Sequence, residues 1–346
     1  YHHLIKAENA ADRLRFGTGH WQRYEFTDFD RDSQDELLIE GNQQNIYIDT
    51  QRGGTLFEWD MRRSAHNLLS VMTRREESYH RTLREHEQQR RKYEAREALL
   101  LASAVGLTGM THTEPASPHT TVRTKEADLD RYLVIDRYRR ASLIDHFLAP
   151  GVTLSTFAQG RFEELGTFVE QPYEAEVQQN TGNITVTLAR DGHVRRAGAL
   201  APLPVHLSKT LFIPLGEEKL GVRYTLQNKG QSRLQTRFAI EWNVHLLGGG
   251  ANDQAYYRIS GQERSHFDST GEVQQVSAFH IGNSWLAQDL CFALSEAATL
   301  WRFSIETVTG SEAGFERNHQ GSCLTLLWPL ELEPEQTWNV EIICIG

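Results

Sequence analysis

The residues best placed to do chemistry lie on one segment, "RFAIEWNVH", from Arg237 to His245. Side chains alternate along an extended chain. Ile240, Trp242 and Val244 therefore point to one side, and Arg237, Glu241, Asn243 and His245 to the other. Four hydrogen-bonding groups in a row can meet a ligand or a metal, face solvent, or be covered by the chain's own loops. As an acid/base pair, Glu241 and His245 stand roughly 13 Å apart by strand rise, too far to share one proton. A second cluster is "RYRRASLIDHFL". There Asp145 can orient the His146 imidazole, or both can bond the backbone of a loop, beside the basic run Arg137, Arg139 and Arg140. A third is "TGSEAGFERNHQGS", which offers Glu312, Glu316, Arg317 and His319 between glycines.

Other reactive patterns fail on spacing. No GxxxxGK[ST], HExxH or GxSxG is present, and the lone "GTG" at Gly17 follows no strand. Glu163 and Glu164 are adjacent, so on a strand they face opposite sides. Asp28, Asp30, Asp32 and Asp35 suggest a calcium loop, but Ser33 and Ile39 occupy the positions where an EF-hand needs Gly and Glu. That stretch reads as a solvated connector.

The elements that must position these groups are mostly strands. At 346 residues and 24% charged residues the chain is globular, with ample length for a core. Its net charge of −10 argues against nucleic acid as a partner. No apolar run approaches the ~20 residues of a membrane span. Cys291, Cys323 and Cys344 are widely spaced and odd in number, which fits free thiols in a reducing cytoplasm.

Tyr1 to Arg15 predicts a short helix with a stripe of Leu4, Ile5, Ala7, Ala11 and Leu14. "LLIEGNQQNIYID" predicts two strands around Gly41-Asn42, followed by "TLFEWD". In the latter, Leu56 and Glu58 are expected on one side and Phe57 and Trp59 on the other, with Trp59 in the core. Arg74 to Glu97 carries eight basic and six acidic residues and reads as an exposed helix laced by ion pairs. "MTHTEPASPHTTVRT" reads as a flexible loop. Beyond Asp130 the pattern is β: Ile184, Val186 and Leu188 alternate, as do Trp301, Phe303 and Ile305. "VRYTLQNKGQSRLQTRFAIEWNV" predicts a hairpin turning at Asn228-Lys229-Gly230, and the closing "WNVEIICI" a central strand. The absence of βαβ alternation predicts a mainly β, large antiparallel sandwich.

Four segments carry a resemblance: "RGGTLFEWDMRRSAHNLLSVMTRREESYH", "LVIDRYRRASLIDHFL", "FAIEWNVHLLGGGAND" and "LWRFSIETVTGSEAGFERNHQGSCLTLLWPL". Together they are similar to the C-terminal β-sandwich region of family-57 glycoside hydrolases. These include retaining α-amylases and 4-α-glucanotransferases acting on α-1,4-glucans. The resemblance spans nearly the whole chain and implies a super-sandwich like that of galactose-mutarotase-like domains. Residues 1–20 resemble the last helical tail of a preceding catalytic region. Residues 21–346 would form the sandwich, with a helical insertion at about 62–100. The family's catalytic Glu and Asp, which retaining chemistry holds about 5–5.5 Å apart, sit on a barrel upstream, and their motifs have no counterpart in this chain. With Tyr1 in place of an initiating Met, the expectation is a piece of a longer protein.

The expected function is therefore a non-catalytic domain that docks on the catalytic barrel of the same protein, with no cofactor and no membrane partner. The resemblance also makes α-1,4-glucan a candidate ligand. Arg237, Glu241, Asn243 and His245 would supply hydrogen bonds, and Tyr256 or Tyr257 the stacking ring. Trp242 is unsuited because it alternates inward, and a buried structural network remains the other reading of the stripe. Arg139, Arg140, Asp145, His146, Glu312 and Glu316 are the candidate contacts to the barrel. The alternatives are a free-standing mutarotase-like or lyase-like enzyme and a purely structural domain.

Overall fold

The computed structural model describes residues 1–103, 123–195, 201–311 and 314–346. The predicted Ser/Thr/Pro loop therefore lies almost wholly outside the described residues, as does Glu312. The chain divides into two compact units. The larger comprises Tyr1–Thr73, Arg137–Ile305 and Gln320–Gly346, and the smaller Arg74–Asp136 and Glu306–His319.

The larger unit opens with helix α1 (His2–Phe16) and an antiparallel five-stranded sheet. Its strands are β1 (Gln22–Thr27), β2 (Glu36–Gly41), β3 (Gln44–Asp49), β4 (Thr55–Met61) and β5 (His66–Asn67), in that order. The alternation expected of β4 is broken. Tyr47 pairs with Glu58 but Ile48 pairs with Leu56, so Phe57 is bulged out of register. Leu56 and Trp59 consequently both enter the core, while Phe57 turns to a half-buried cluster with Phe29 and Tyr47.

After helix α2 (Ser78–Ser103) come β6 (Ile144–Leu148) and the short helix α3 (Leu154–Ala158). The sandwich is completed by β7 (Glu174–Gln179), β8 (Asn183–Val194), β9 (Leu203–Pro214), β10 (Lys219–Asn228), β11 (Leu234–Val244), β12 (Ala255–Ile259), β13 (Ser265–His266), β14 (Gly271–Asn283), β15 (Gln288–Ser311), β16 (Gly314–Leu332) and β17 (Thr337–Ile345). One path of paired strands runs β13-β12-β14-β15-β17-β10-β9-β8-β7, and β11 pairs with β6 and β16. The predicted central position of β17 holds, between β10 and β15.

The predicted hairpin of β10 and β11 does not form. β10 pairs with β9 and β17, whereas β11 pairs with β6 and β16. The two strands face each other across the core, with the Tyr224 and Phe238 rings 5.7 Å apart. The same apolar alternation serves either arrangement, because both bury Val222, Tyr224, Leu226, Phe238, Ile240 and Trp242. The five-stranded sheet closes onto this core through Trp59, whose ring lies 6.3 Å from that of Trp242.

A second apolar cluster lies on the other face of β11. It gathers Leu148, Phe157, Ala239, Trp301, Phe303, Ile305, Cys323 and Leu327. Phe238 to Val244 are thus buried without interruption, and Phe238 to Glu241 are paired on both edges.

In the smaller unit α2 buries Leu83 and Glu87, so its expected full exposure is corrected to one covered face. The expected ion pairs are present: Arg90 bonds Glu94, Arg84 pairs with Glu76, and Arg91 reaches Asp130.

The turn before β4 supplies a test. Gly54 has φ +53°, and a Cβ there would lie 3.2–3.3 Å from Leu188, Tyr173 and Lys209. Left-handed backbone costs an L-residue about 1–2 kcal/mol before any crowding. Gly54→Ala is expected to lower unfolding free energy by roughly 1–3 kcal/mol in urea titration. Gly151→Ala, where a Cβ would meet nothing within 4 Å, should be neutral.

Candidate functional site

The stripe on β11 is real, but it is not open. Arg237, Glu241 and Asn243 share a face with Ala239, and the segment between Arg137 and Glu164 roofs them. Glu241 is fully buried. Its Oε1 accepts hydrogen bonds from Arg140 Nη1 and Asn243 Nδ2, each at 2.7 Å. Its Oε2 accepts from the Tyr138 hydroxyl at 2.7 Å and lies 3.0 Å from His146 Nε2. Four donors saturate a carboxylate. Nothing remains for a sugar hydroxyl or a metal, and the expected role of Glu241 and Asn243 as ligand contacts is corrected to that of a covered network.

His146 continues the network, with its Nδ1 2.7 Å from Glu164 Oε2. Glu164 Oε1 accepts from the Phe147 and Gly166 amides. Burial alone would depress the imidazole, but hydrogen bonds to Glu164 and Glu241 outweigh it and push His146 up to about 9. Burial would likewise raise Glu241. The charge of Arg140 and the bonds from His146 and Asn243 instead hold it well below the usual carboxylate range. Two cations and two carboxylates balance. The His146 ring also packs edge-on against Phe157 and Phe162.

Asp145 and His146 do not form a dyad, and they do not lie in a loop. They belong to the fully buried strand β6 and point to opposite faces. Asp145 Oδ2 accepts from Lys209 Nζ at 2.8 Å and from the Tyr173 hydroxyl at 2.7 Å. Lys209 is fully buried and also donates to the Gly53 and Leu143 carbonyls at 2.8 Å. Burial pulls the Lys209 ammonium down and Asp145 opposes the shift. A signal for Lys209 was present: it occupies an inward position among Val205, Leu207, Leu211 and Ile213. Tyr138, Glu164 and Tyr173 carried no comparable signal, because their partners lie 18 to 103 residues away.

The remaining candidates are dispersed. The Arg237 guanidinium lies 5.4 Å over Trp301 and donates to the Ala149 and Val152 carbonyls. His245 is half-buried and stacks on His66 at 5.6 Å. Tyr257 is fully buried against Phe267, so its expected exposure is corrected, while Tyr256 is half-buried under Arg264. Of the expected barrel contacts, Arg140, Asp145 and His146 are buried in the networks above and cannot reach a partner. Arg139 stays partly exposed over the Phe57 ring, and Glu316 pairs with Lys125.

On the outer face of the five-stranded sheet, Glu58 and Asp60 stand together near Tyr1 and Glu8. Burial, then Glu58, push Asp60 up to about 8. Asn45, opposite Asp60 in the register, is fully buried, and its amide makes no well-formed hydrogen bond.

The network fixes the sign of a pH effect. His146 is raised from 6.5, so its contribution is complete below pH 6.5 and is lost as pH rises through about 9. Glu241 is depressed, so its contribution is complete above pH 4.5 and is lost only at strongly acid pH. Stability measured by urea titration should fall by roughly 3 kcal/mol more between pH 6.5 and 9.5 in the parent than in His146→Gln. Glu241→Ala should cost about 3–5 kcal/mol at neutral pH, because it strands Arg140 and His146 in the interior.

Comparison with known proteins agrees with this architecture. Residues 28–342 match the family described as "Alpha-amylase/4-alpha-glucanotransferase, C-terminal". The chain is 29% identical over 343 residues to Alpha-amylase 1 of Dictyoglomus thermophilum, covering 99% of this chain and 44% of that protein. It is 29% identical over 310 residues to the 4-alpha-glucanotransferase of Thermococcus litoralis, covering 90% and 40% respectively. The chain thus spans about two fifths of the length of these curated relatives. The crystal structure of the T. litoralis 4-alpha-glucanotransferase superposes at a TM-score of 0.69 and 23% identity, covering 100% of this chain and 41% of that one. A galactose mutarotase-like protein from Clostridium acetobutylicum superposes at 0.51 with 8% identity, over 94% and 98% of the two chains, which shows a shared fold alone. A family match over 28–342 leaves few residues unaccounted for, and by it the chain belongs to the alpha-amylase/4-alpha-glucanotransferase C-terminal family.

Proposed function

We propose that this chain is the non-catalytic sandwich of an α-glucan-acting hydrolase or 4-α-glucanotransferase, and that it docks on a catalytic domain through residues 1–20 and the adjoining outer face of the five-stranded sheet. One observation carries the reading. The 15-residue helix α1 buries only Ile5, while Leu4 is 66% and Leu14 is 92% exposed. The stripe predicted for it thus has almost nothing to pack on among the described residues. Helices of this length are marginal in water and draw their stability from packing, so α1 calls for a further surface. The sheet face near Tyr1 adds support. There the half-buried Glu58 stands beside the buried Asp60 and raises its cost of ionising. A basic side chain of a catalytic domain would meet Glu58 there. Hydrolysis or glucan transfer would then belong to that domain, and this chain would hold and shape it.

Two measurements test the reading. Incubated with amylose or maltooligosaccharides, the isolated chain should release no reducing ends and redistribute no glucan; turnover abolished by a single substitution within it would sink the proposal. Amide hydrogen exchange over residues 2–16 should be fast in this chain alone. It should slow by at least about tenfold when a catalytic domain of the relatives' kind precedes it, and equal rates in the two forms would count against docking through α1.

A further inference from the structure

With the β11 stripe roofed, a glucan contact has to be sought on the outer surface. A cleft of about 870 Å³ lies over the outward face of β7, β8 and β9, with its far wall supplied by β1, the connector after it and the turn following β3. Its volume is in the range of ligand sites. The register builds the floor: Glu174 pairs with Ala189 and Asp191 with His206, so these four side chains face outward together. Ala189 is small, which leaves the floor low between taller polar groups.

Three features narrow the ligand. Phe26 on β1 lines the cleft and is 45% exposed, so an aromatic ring stands free in a largely polar setting. The polar lining is rich in planar groups, among them Gln34, Gln51 and a carboxylate–imidazole pair in which Asp191 Oδ1 lies 2.7 Å from His206 Nδ1. Arg190 donates to the Thr167 and Pro172 carbonyls, which fixes one rim before any ligand arrives. Asp35, Glu174 and Asp191 outnumber Arg190 as formal charges, so phosphate and other anions are disfavoured. A neutral chain with apolar ring faces and hydroxylated edges matches a stacking ring flanked by planar donors and acceptors.

We propose that this cleft binds a neutral oligosaccharide chain of the α-1,4-glucan class, with Phe26 stacking on a sugar ring and Asp191, held by His206, accepting from its hydroxyls. The linkage class rests on the function proposed above; the neutral, polyhydroxylated character rests on the cleft alone. Calorimetric titration of the chain with maltoheptaose should show saturable binding. Phe26→Ala and Asp191→Asn should each weaken it by about tenfold while leaving the melting temperature unchanged, since both side chains are exposed. Cellohexaose should bind at least several-fold more weakly. Absent binding by the folded parent chain, undiminished binding in both variants, or a preference for cellohexaose would each overturn the site. The hydrogen-exchange result for α1 is independent of all three, so the cleft can fail while the docking reading stands, and the reverse.

Discussion

A carboxylate in the middle of an apolar strand is the constraint on which the larger unit depends. Glu241 sits between Ile240 and Trp242 on β11, fully buried. An unpaired carboxylate there would be untenable, so the fold must bring Arg140, His146, Asn243 and Tyr138 to it. Three of these four donors come from the segment that precedes and forms β6. That segment is thereby held over β11, and with it α3 and the aromatic rings of Phe157 and Phe162. The second apolar cluster exists because of this roof.

Strand β6 transmits the requirement to the opposite face. His146 points up into the roof, and Asp145 points down toward Lys209 on β9. Lys209 in turn holds the Gly53 carbonyl, at the turn that launches β4. One five-residue strand thus ties the roof, the sandwich and the five-stranded sheet through two charged groups of opposite sign and opposite direction. Such pairs add little net stability over apolar packing, but breaking either one is costly. Their consequence is a single arrangement of layers.

This arrangement separates structure from function on the molecule. The charged groups buried inside the sandwich, Glu241 with Arg140 and His146 and Asp145 with Lys209, are paired internally and serve the fold. The uncovered apolar groups lie instead at the surface, where Leu4 and Leu14 on α1 stand exposed. The chain spans about two fifths of its relatives' length, and its uncovered apolar side chains fall on α1 rather than on the sandwich core.

Much was legible in the residues themselves. Period-two alternation marked β8 and β15, the two strands around Gly41-Asn42 and the inward set of β11, because half-burial of a strand is written locally. The charged run marked α2, and the stripe of Arg237, Glu241 and Asn243 was correctly assigned to one face. Four quoted segments sufficed for the family. What local pattern could not convey was which surface each face would meet. The β10–β11 sequence suits a hairpin or a crossing of the core equally well, and only long-range pairing with β6, β16, β9 and β17 decided it. The bulge at Phe57 moved Leu56 and Trp59 to the same side against their spacing. Asp145 and His146 read as a loop because charged neighbours seldom lie in a buried strand. Their acceptability depends on Lys209, Glu164 and Glu241, 18 to 95 residues away. Sequence by itself determined strand content, family and the polar stripe; tertiary structure alone decided that the stripe is roofed, since the desolvation of a charge is set by distant atoms that no local period records.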